Sequence, residues 1–282
     1  MKKMLLVFAH PDDESFGVGG TVAKYAAGGW HVELICATNG EAGESSGERA
    51  YEKEELGPIR KSEVERAGKL LGIQHIQFLE KPDGELKSVS PGTLEDMITK
   101  KMEEMMPDIV ITHDTTGVTN HPDHIKVCYA TTFAFQKYTE TLEQIKLGVT
   151  DRKGRGYVWK ENAFVRAFGD VDPANKDPKL YYSCMPTSVV AFMQKSKQFP
   201  EESHGLPLRG TGDKFVTTVI DITDTKLVKG KALLCHESQK ENVEQFISFD
   251  RNPHHNQEWF ILRMQGIHEV FMGKSDRVGD SL

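Results

Sequence analysis

Met4-Leu5-Leu6-Val7-Phe8-Ala9-His10-Pro11-Asp12-Asp13-Glu14 decides the architecture of this 282-residue chain. A short apolar run of this kind reads as a strand buried on both faces, as in a parallel sheet. A second run, Ile109-Val110-Ile111-Thr112, precedes His121-Pro122-Asp123-His124. In a parallel α/β sheet, residues just past the carboxyl ends of the strands gather at one rim, where ligands bind. Two His-carboxylate clusters brought to that rim make one divalent-metal site with a spare carboxylate and a spare imidazole. Those are the ingredients of metal-assisted hydrolysis.

Outward from the first run, strand and helix signals alternate over the first 140 residues. A helix is expected near Thr21–Ala27 after the glycines at 17–20, a strand over His31–Ala37, and a helix from Pro58 through Leu71. A strand at His75–Leu79, a helix at Thr93–Met106 and a helix from Pro122 continue the pattern. The expected fold class is α/β: Rossmann-like, a mostly parallel sheet with helices on both faces and the active site at the carboxyl ends of the strands. We expect a single domain over 1–282, with an insertion or elaboration around 140–213. Asp151–Gly156 and Asp170–Lys179 read there as turns or exposed chain. Later expectations are strands at Leu180–Cys184, Lys214–Ile220 and Ile267–Met272, helices at Pro186–Phe199, Asp224–Gln239 and Asn256–Gln265, and a polar loop at Glu201–Gly212.

The 38% apolar and 27% charged fractions are those of a soluble globular enzyme, and a net charge of −7 argues against a general nucleic-acid binder. Cys36, Cys128, Cys184 and Cys235 form no CxxC pair and are expected to be reduced thiols. Lys2-Lys3 and the six-residue apolar run are too short for a secretory signal, and no stretch approaches the ~20 apolar residues of a membrane span. A cytoplasmic location is the expectation, with no membrane or nucleic-acid partner. Gly17, Gly19 and Gly20 do not complete G-x-G-x-x-G, because Val22 stands at the third position. The acidic run upstream would also repel a pyrophosphate, which disfavours a nucleotide-dependent oxidoreductase.

Pro11 biases His10 toward extended backbone, so its imidazole is presented at the strand tip. Asp12, Asp13 and Glu14 then crowd three carboxylates into one turn, which is costly unless a cation or hydrogen bonds compensate them. The alternative for these acids is a helix N-terminus, where they meet the dipole favourably. His121 suits an N-cap with Pro122 at the first helical position, and His124, three residues on, can face the same side. This spacing is not H-E-x-x-H, so a zincin protease is disfavoured. Asp123 can orient an imidazole. Phe133, Phe135 and Tyr138 are assigned to a helix core. His254 and His255 are assigned to a polar loop. His31, His75, His113, His204 and His268 show no partner pattern, although His113 falls on the active rim.

The paired motifs resemble the PIG-L/LmbE-like family of zinc-dependent N-acetylglucosaminyl deacetylases and conjugate amidases. Supporting matches are Thr38-x-Gly40-Glu41-x-Gly43, Arg60-x-x-Glu63 with Ala67 and Leu71-Gly72, and Lys231-Ala232-Leu233-x-x-His236-x-Ser238-Gln239. The resemblance implies one Zn²⁺ per chain, with Fe²⁺ or Co²⁺ as alternatives, held by His10, Asp13 and His124 with a position left for water. It implies Asp12 as general base. It implies His121 as the imidazolium that stabilises the oxyanion or protonates the leaving amine, with Asp123 holding it. Arg60, Glu41, Asn39, Thr119 and Gln239 are the implied substrate contacts, and His236 approaches from the last third of the chain. The chain departs from the pattern at Thr119, where many relatives carry an aromatic residue.

The implied activity is a metal-dependent hydrolase cleaving the amide of an N-acyl amino sugar to a free amine and a carboxylate. A conjugate amidase or a secondary-metabolite tailoring deacetylase would use the same machinery. A non-catalytic metal- or sugar-binding module is the reading from another class, and it would need neither Asp12 nor His121. The aglycone, acyl group, physiological metal and oligomeric state, including a homo-oligomer, stay open at this point.

Overall fold

In the computed structural model, which describes residues 1–43, 51–146, 176–197, 199–247, 255–273 and 276–282, the first apolar run forms β1 (Lys3–Phe8) in the interior of an eight-stranded sheet. Its alternation sets the layers. Leu5 and Val7 join Ile98, Met102, Phe135 and Tyr138 in one core. Met4, Leu6 and Phe8 join Val18, Val22, Val64 and Leu71 in the other. Burying a large apolar side chain contributes about 1.5–3 kcal/mol, so a strand with no exposed face is tied to both layers at once.

β1 pairs in parallel with β2 (His31–Thr38) and β4 (Ile109–His113). β3 (His75–Lys81) extends the sheet beyond β2, and β5 (Lys179–Cys184) extends it beyond β4, both parallel. The order β3-β2-β1-β4-β5 reverses direction at β1, and such a switch point opens a crevice beyond the strand ends. α1 (Asp13–Ala27) and α2 (Lys53–Leu71) supply side chains to one core. α3 (Thr93–Met105) and α5 (Pro122–Lys146) supply the other, with the short α4 (Gly117–Asn120) before α5. The later chain contributes α6 (Thr187–Lys195), the hairpin β6–β7 (Glu202–Ser203 and Leu206–Pro207), β8 (Thr218–Asp221), α7 (Lys226–Leu233) and α8 (Lys240–Ile247). β9 (Gln257–Gln265) runs antiparallel to β5 and also pairs with β8 and with β10 (His268–Glu269). No described helix is long and apolar enough to cross a membrane. The four cysteines are unpaired.

Several boundaries differ from expectation. Asn256–Gln265, expected as a helix, is β9, because its backbone completes ladders to β5 and β8 and buries Glu258 and Phe260 on alternate positions. α1 starts at Asp13 rather than Thr21, and its glycines serve close packing: a Cβ on Gly20 would lie 2.6 Å from Ile222 Cδ1. Pro58 lies inside α2, which begins at Lys53, so the proline gives up one helical hydrogen bond rather than opening the helix. Only Lys226–Leu233 of Asp224–Gln239 and Thr187–Lys195 of Pro186–Phe199 are helical in one piece. Lys214–Ile220 supplies a strand only from Thr218, and Ile267–Met272 only at His268–Glu269. Phe133 is 55% exposed, on the opposite side of α5 from buried Phe135 and Tyr138. The Asp151–Gly156 turn, most of Asp170–Lys179 and His254 lie outside the described residues.

A buried ion pair ties β9 to α7 and α1. Lys229 Nζ donates to Glu258 Oε1 at 2.7 Å, and the same carboxylate accepts the Gly20 and Thr21 N–H groups at 3.0 and 2.8 Å. Lys229→Met leaves Glu258 without its counter-charge, and removing one partner of a buried pair costs about 3–5 kcal/mol. The expected result is a lower urea midpoint, partly restored in Lys229→Met/Glu258→Gln.

Candidate active site

Beyond the carboxyl end of β1 the chain turns sharply. Asp12 adopts φ 128°, a left-handed conformation that costs a non-glycine residue of order 1–3 kcal/mol and concentrates at functional sites. The turn is held from three directions. The His10 N–H donates to Asp13 Oδ2 at 2.8 Å, the Asp12 N–H to Glu14 Oε2 at 3.1 Å, and the Thr38 N–H to the Ala9 carbonyl at 3.0 Å. The loop after β4 is organised by Asp114, whose Oδ1 accepts the Thr116 and Val118 N–H groups, each at 3.0 Å. α5 then starts at Pro122, with His121 extended just before it at φ −67° and ψ 124°.

These two loops bring His10 Nδ1 within 3.1 Å of His124 Nε2. Asp13 completes the group, with Oδ1 3.2 Å from His124 Nε2 and Oδ2 3.7 Å from His10 Nδ1. The hydrogen bonds behind these atoms fix their roles. His124 Nδ1 donates to the Gly117 carbonyl at 3.0 Å, which leaves Nε2 a lone pair facing Asp13 and His10. His10 Nε2 lies between two carboxylates, 3.0 Å from Asp83 Oδ1 and 3.5 Å from Asp123 Oδ2, without a well-aligned hydrogen bond to either.

The donor set fits a divalent ion. Donors held at ~2.0–2.1 Å from one tetrahedral ion stand roughly 3.3 Å from one another. Two of the three separations here are 3.1 and 3.2 Å, and the third is 3.7 Å. The charge balance agrees. Burial would lower the His10 pKa, but Asp123, Asp83 and Asp13 outweigh it and push it up to about 10, so this pocket favours positive charge at that position. Burial would raise Asp13, but His124 and His113 hold it well below the ordinary carboxylate range. Carboxylates behind a ligating histidine fix its orientation and raise its basicity, and Asp83 and Asp123 stand in that relation to His10.

Around this centre the other predicted residues divide. Asp12 lines the cavity, and its Oδ2 accepts from Arg60 Nη2 at 3.0 Å. Burial raises its pKa to about 6; Arg60 opposes the shift and Asp13 adds to it. His121 packs against His124 at 4.7 Å between ring centroids, and its Nδ1 accepts the Asp123 N–H at 3.2 Å, so Nε2 carries the proton in the neutral ring. Burial, then His10, His124 and His204, push His121 down to about 3, which favours a neutral hydrogen-bond donor over the anticipated imidazolium. Asp123 does not hold His121 through its carboxylate. That group accepts the Gly84 and Leu86 N–H groups at 2.8 and 3.0 Å and faces His10.

Arg60 is 4% exposed; Nη1 donates to the Gly40 carbonyl at 2.9 Å and Nη2 to the Pro11 carbonyl at 2.7 Å and to Asp12, while the buried Nε meets no partner among the described residues. The glycines of the Thr38–Gly43 motif make room for it, since a Cβ on Gly40 or Gly43 would sit 2.6 or 2.5 Å from Nη1. Arg60 also lines the cavity, so the structure gives it a hold on Asp12 alongside the expected place beside substrate. Arg60→Met is expected to lower kcat by about 10²-fold through misplacement of Asp12, with the smaller effect on KM. Steady-state kinetics check this, and a rise in KM alone would leave Arg60 with the substrate contact alone.

Glu41 and Asn39 are not among the cavity-lining residues. Glu41 Oε1 accepts the Asp83 N–H at 3.0 Å and so braces the loop behind His10. Thr119 and Gln239 line the cavity. His236 is buried and meets Glu14 Oε1 at 3.1 Å and Ser15 Oγ at 3.2 Å, while Glu63 accepts from the Ser238 N–H and hydroxyl, each at 2.7 Å. These contacts clamp the segment after α7 onto α1 and α2.

Sequence reasoning missed Asp83 and His204 and left His113 without a partner. His113 stacks on His124 at 3.9 Å and 4°, and its Nε2 accepts the Ala9 N–H at 3.2 Å. His204, on the β6–β7 hairpin, stands edge-on to His121 at 4.5 Å. The available signal was position: Asp83 follows β3 and His113 ends β4, both at the rim.

Comparison with known proteins gives the same direction. Residues 5–135 match the family described as GlcNAc-PI de-N-acetylase, PIG-L. A 1D-myo-inositol 2-acetamido-2-deoxy-alpha-D-glucopyranoside deacetylase from Thermomonospora curvata is 30% identical over 265 residues, covering 84% of this chain and 80% of that protein. Among solved structures, N,N'-diacetylchitobiose deacetylase from Pyrococcus horikoshii aligns at a TM-score of 0.58 and 22% identity, over 94% of this chain and 85% of that one. GalB, the 4-carboxy-2-hydroxymuconate hydratase from Pseudomonas putida, aligns at 0.59 and 18% identity, over 98% of this chain and 100% of that one. The structural likenesses establish the Rossmann-like fold, which hosts a hydratase as well as a deacetylase, so the reaction must be argued from the site.

Proposed function

The chain belongs to the GlcNAc-PI de-N-acetylase (PIG-L) family, and on that premise we propose that it is a metal-dependent deacetylase hydrolysing the amide of an N-acyl amino sugar. The carrying observation is the convergence of His10 Nδ1, His124 Nε2 and the Asp13 carboxylate, within 3.1 to 3.7 Å of one another, beside an aspartate that none of them uses. His10, Asp13 and His124 would hold the ion, with Zn²⁺ as our assignment and Fe²⁺ or Co²⁺ as ions that suit the same donors. The chemistry such an ion supplies when bound is Lewis acidity at the scissile carbonyl and at the attacking water.

The chain's own groups do the rest. Asp12, fixed by Arg60 on the cavity wall, removes the proton from water as it attacks the carbonyl carbon. His121, with Nδ1 occupied by the Asp123 N–H, presents Nε2–H as a donor to the developing oxyanion. The proton taken by Asp12 is then available to the departing amine. No nucleophilic serine or cysteine is required, and the products are a free amino sugar and a carboxylate. A binding module would need the three donors but neither Asp12 nor His121. Release of primary amine from N-acetylglucosamine glycosides, abolished by a chelator and restored by added metal, is the test. Turnover unaffected by metal removal would overturn the proposal.

A further inference from the structure

Asp12 is held by its side chain, its carbonyl and its N–H. Oδ2 accepts from Arg60 at 3.0 Å, the carbonyl accepts the Ser15 and Phe16 N–H groups at 2.9 and 3.0 Å, and the N–H donates to Glu14 Oε2 at 3.1 Å. The last contact bears directly on φ, the rotation about the bond from that nitrogen, which stands at 128°. A residue stays in such a conformation only where its surroundings over-determine it. Glu14 is fully buried, and a buried carboxylate is costly unless it is hydrogen-bonded. Its other oxygen, Oε1, accepts the Ser15 hydroxyl at 2.5 Å and meets His236 Nε2 at 3.1 Å. An ionised carboxylate only accepts, so His236 donates here through Nε2–H.

His236 comes from the turn between α7 and α8, 222 residues further along the chain and outside the 5–135 segment that matches the family. It is 1% exposed, and its Nδ1 meets no partner among the described residues. The turn is itself fixed, because the His236 N–H donates to the Leu233 carbonyl and the Gln239 N–H to the His236 carbonyl, each at 3.0 Å. Neither Glu14 nor His236 is among the cavity-lining residues, so their influence on the reaction passes through Asp12.

We propose that His236 is a positioning residue for the general base: it fixes the Glu14 carboxylate, which holds the Asp12 N–H and so sets the turn that carries the base. This rests on the reading of Asp12 as the base. The test compares variants of the full chain by steady-state kinetics, metal analysis and urea unfolding. His236→Leu fills the space without a donor. Its kcat is expected to fall by about 10²-fold through misplacement of Asp12, with KM and metal content unchanged. His236→Gln offers an amide N–H to Glu14 and is expected to recover most of that loss. Ser238→Ala loosens the same segment from Glu63 without touching Glu14, so it should lower the urea midpoint and keep kcat near wild type.

An unchanged kcat in His236→Leu would overturn the proposal. So would an equal loss in His236→Gln, or in Ser238→Ala, since packing or clamping alone would then explain the effect. Should His236→Leu fail to fold, Glu14→Gln carries the same test: a lowered kcat with metal retained supports the link, and wild-type kcat breaks it. Asp12→Asn run alongside separates the two claims. A large loss there with none in His236→Leu strikes the positioning role alone, whereas undiminished turnover in Asp12→Asn strikes the base reading and the positioning role with it.

Discussion

Asp12→Asn is expected to bind as much metal as the wild-type chain and to lose about 10²–10⁴-fold in kcat. The amide is isosteric and keeps an oxygen for Arg60 Nη2, which donates to Oδ2 at 3.0 Å in the parent, so the turn at φ 128° need not move. What disappears is the capacity to accept a proton. Asp12 takes no part in the His10–Asp13–His124 contacts, so metal content and turnover should separate. Metal analysis alongside kinetics reads both. Normal turnover in this variant would remove Asp12 from the base role.

His124→Ala has the second large effect, and it acts on the other half of the machinery. His124 Nε2 is the atom nearest both remaining donors, and its orientation is set by the Nδ1 bond to the Gly117 carbonyl. Losing an outer partner of a ligand costs ~10–100-fold in metal affinity, and losing the ligand itself should cost more. The variant is expected to retain almost no metal after dialysis and to turn over at the rate of chelated wild type. Circular dichroism and urea unfolding should show that the sheet persists, because the two apolar cores do not include His124. Full metal content in this variant would mean that the ligands have been misassigned.

The parallel half of the fold was legible because β1 and β4 are apolar on both faces, a pattern few other environments accept. His10, Asp13 and His124 were legible for a related reason. Each lies beyond the carboxyl end of such a strand; Pro11 stands where the chain has left β1, and Pro122 opens α5. β9 was not legible: Gln257–Gln265 has no clean alternation, and its strand state comes from the ladder to β5. Nor were the hydrogen bonds of Arg60. A sequence places it on a helix near the rim, but only the fold shows Gly40 and Pro11 closing around its guanidinium. Asp83 escaped notice because a lone aspartate in a Pro-Asp-Gly turn usually serves the turn, and its approach to His10 depends on β3 lying two strands away from β1.

Titrating the metal-free chain with Co²⁺, followed by absorption spectroscopy and elemental analysis in parallel with Asp13→Ala, goes to the root of these claims. One ion per wild-type chain, with the visible bands of a low-coordinate nitrogen and oxygen site that vanish in the variant, is the predicted outcome. Equal uptake by both proteins, or none by the wild type, would show that residues 10, 13 and 124 converge for some other reason.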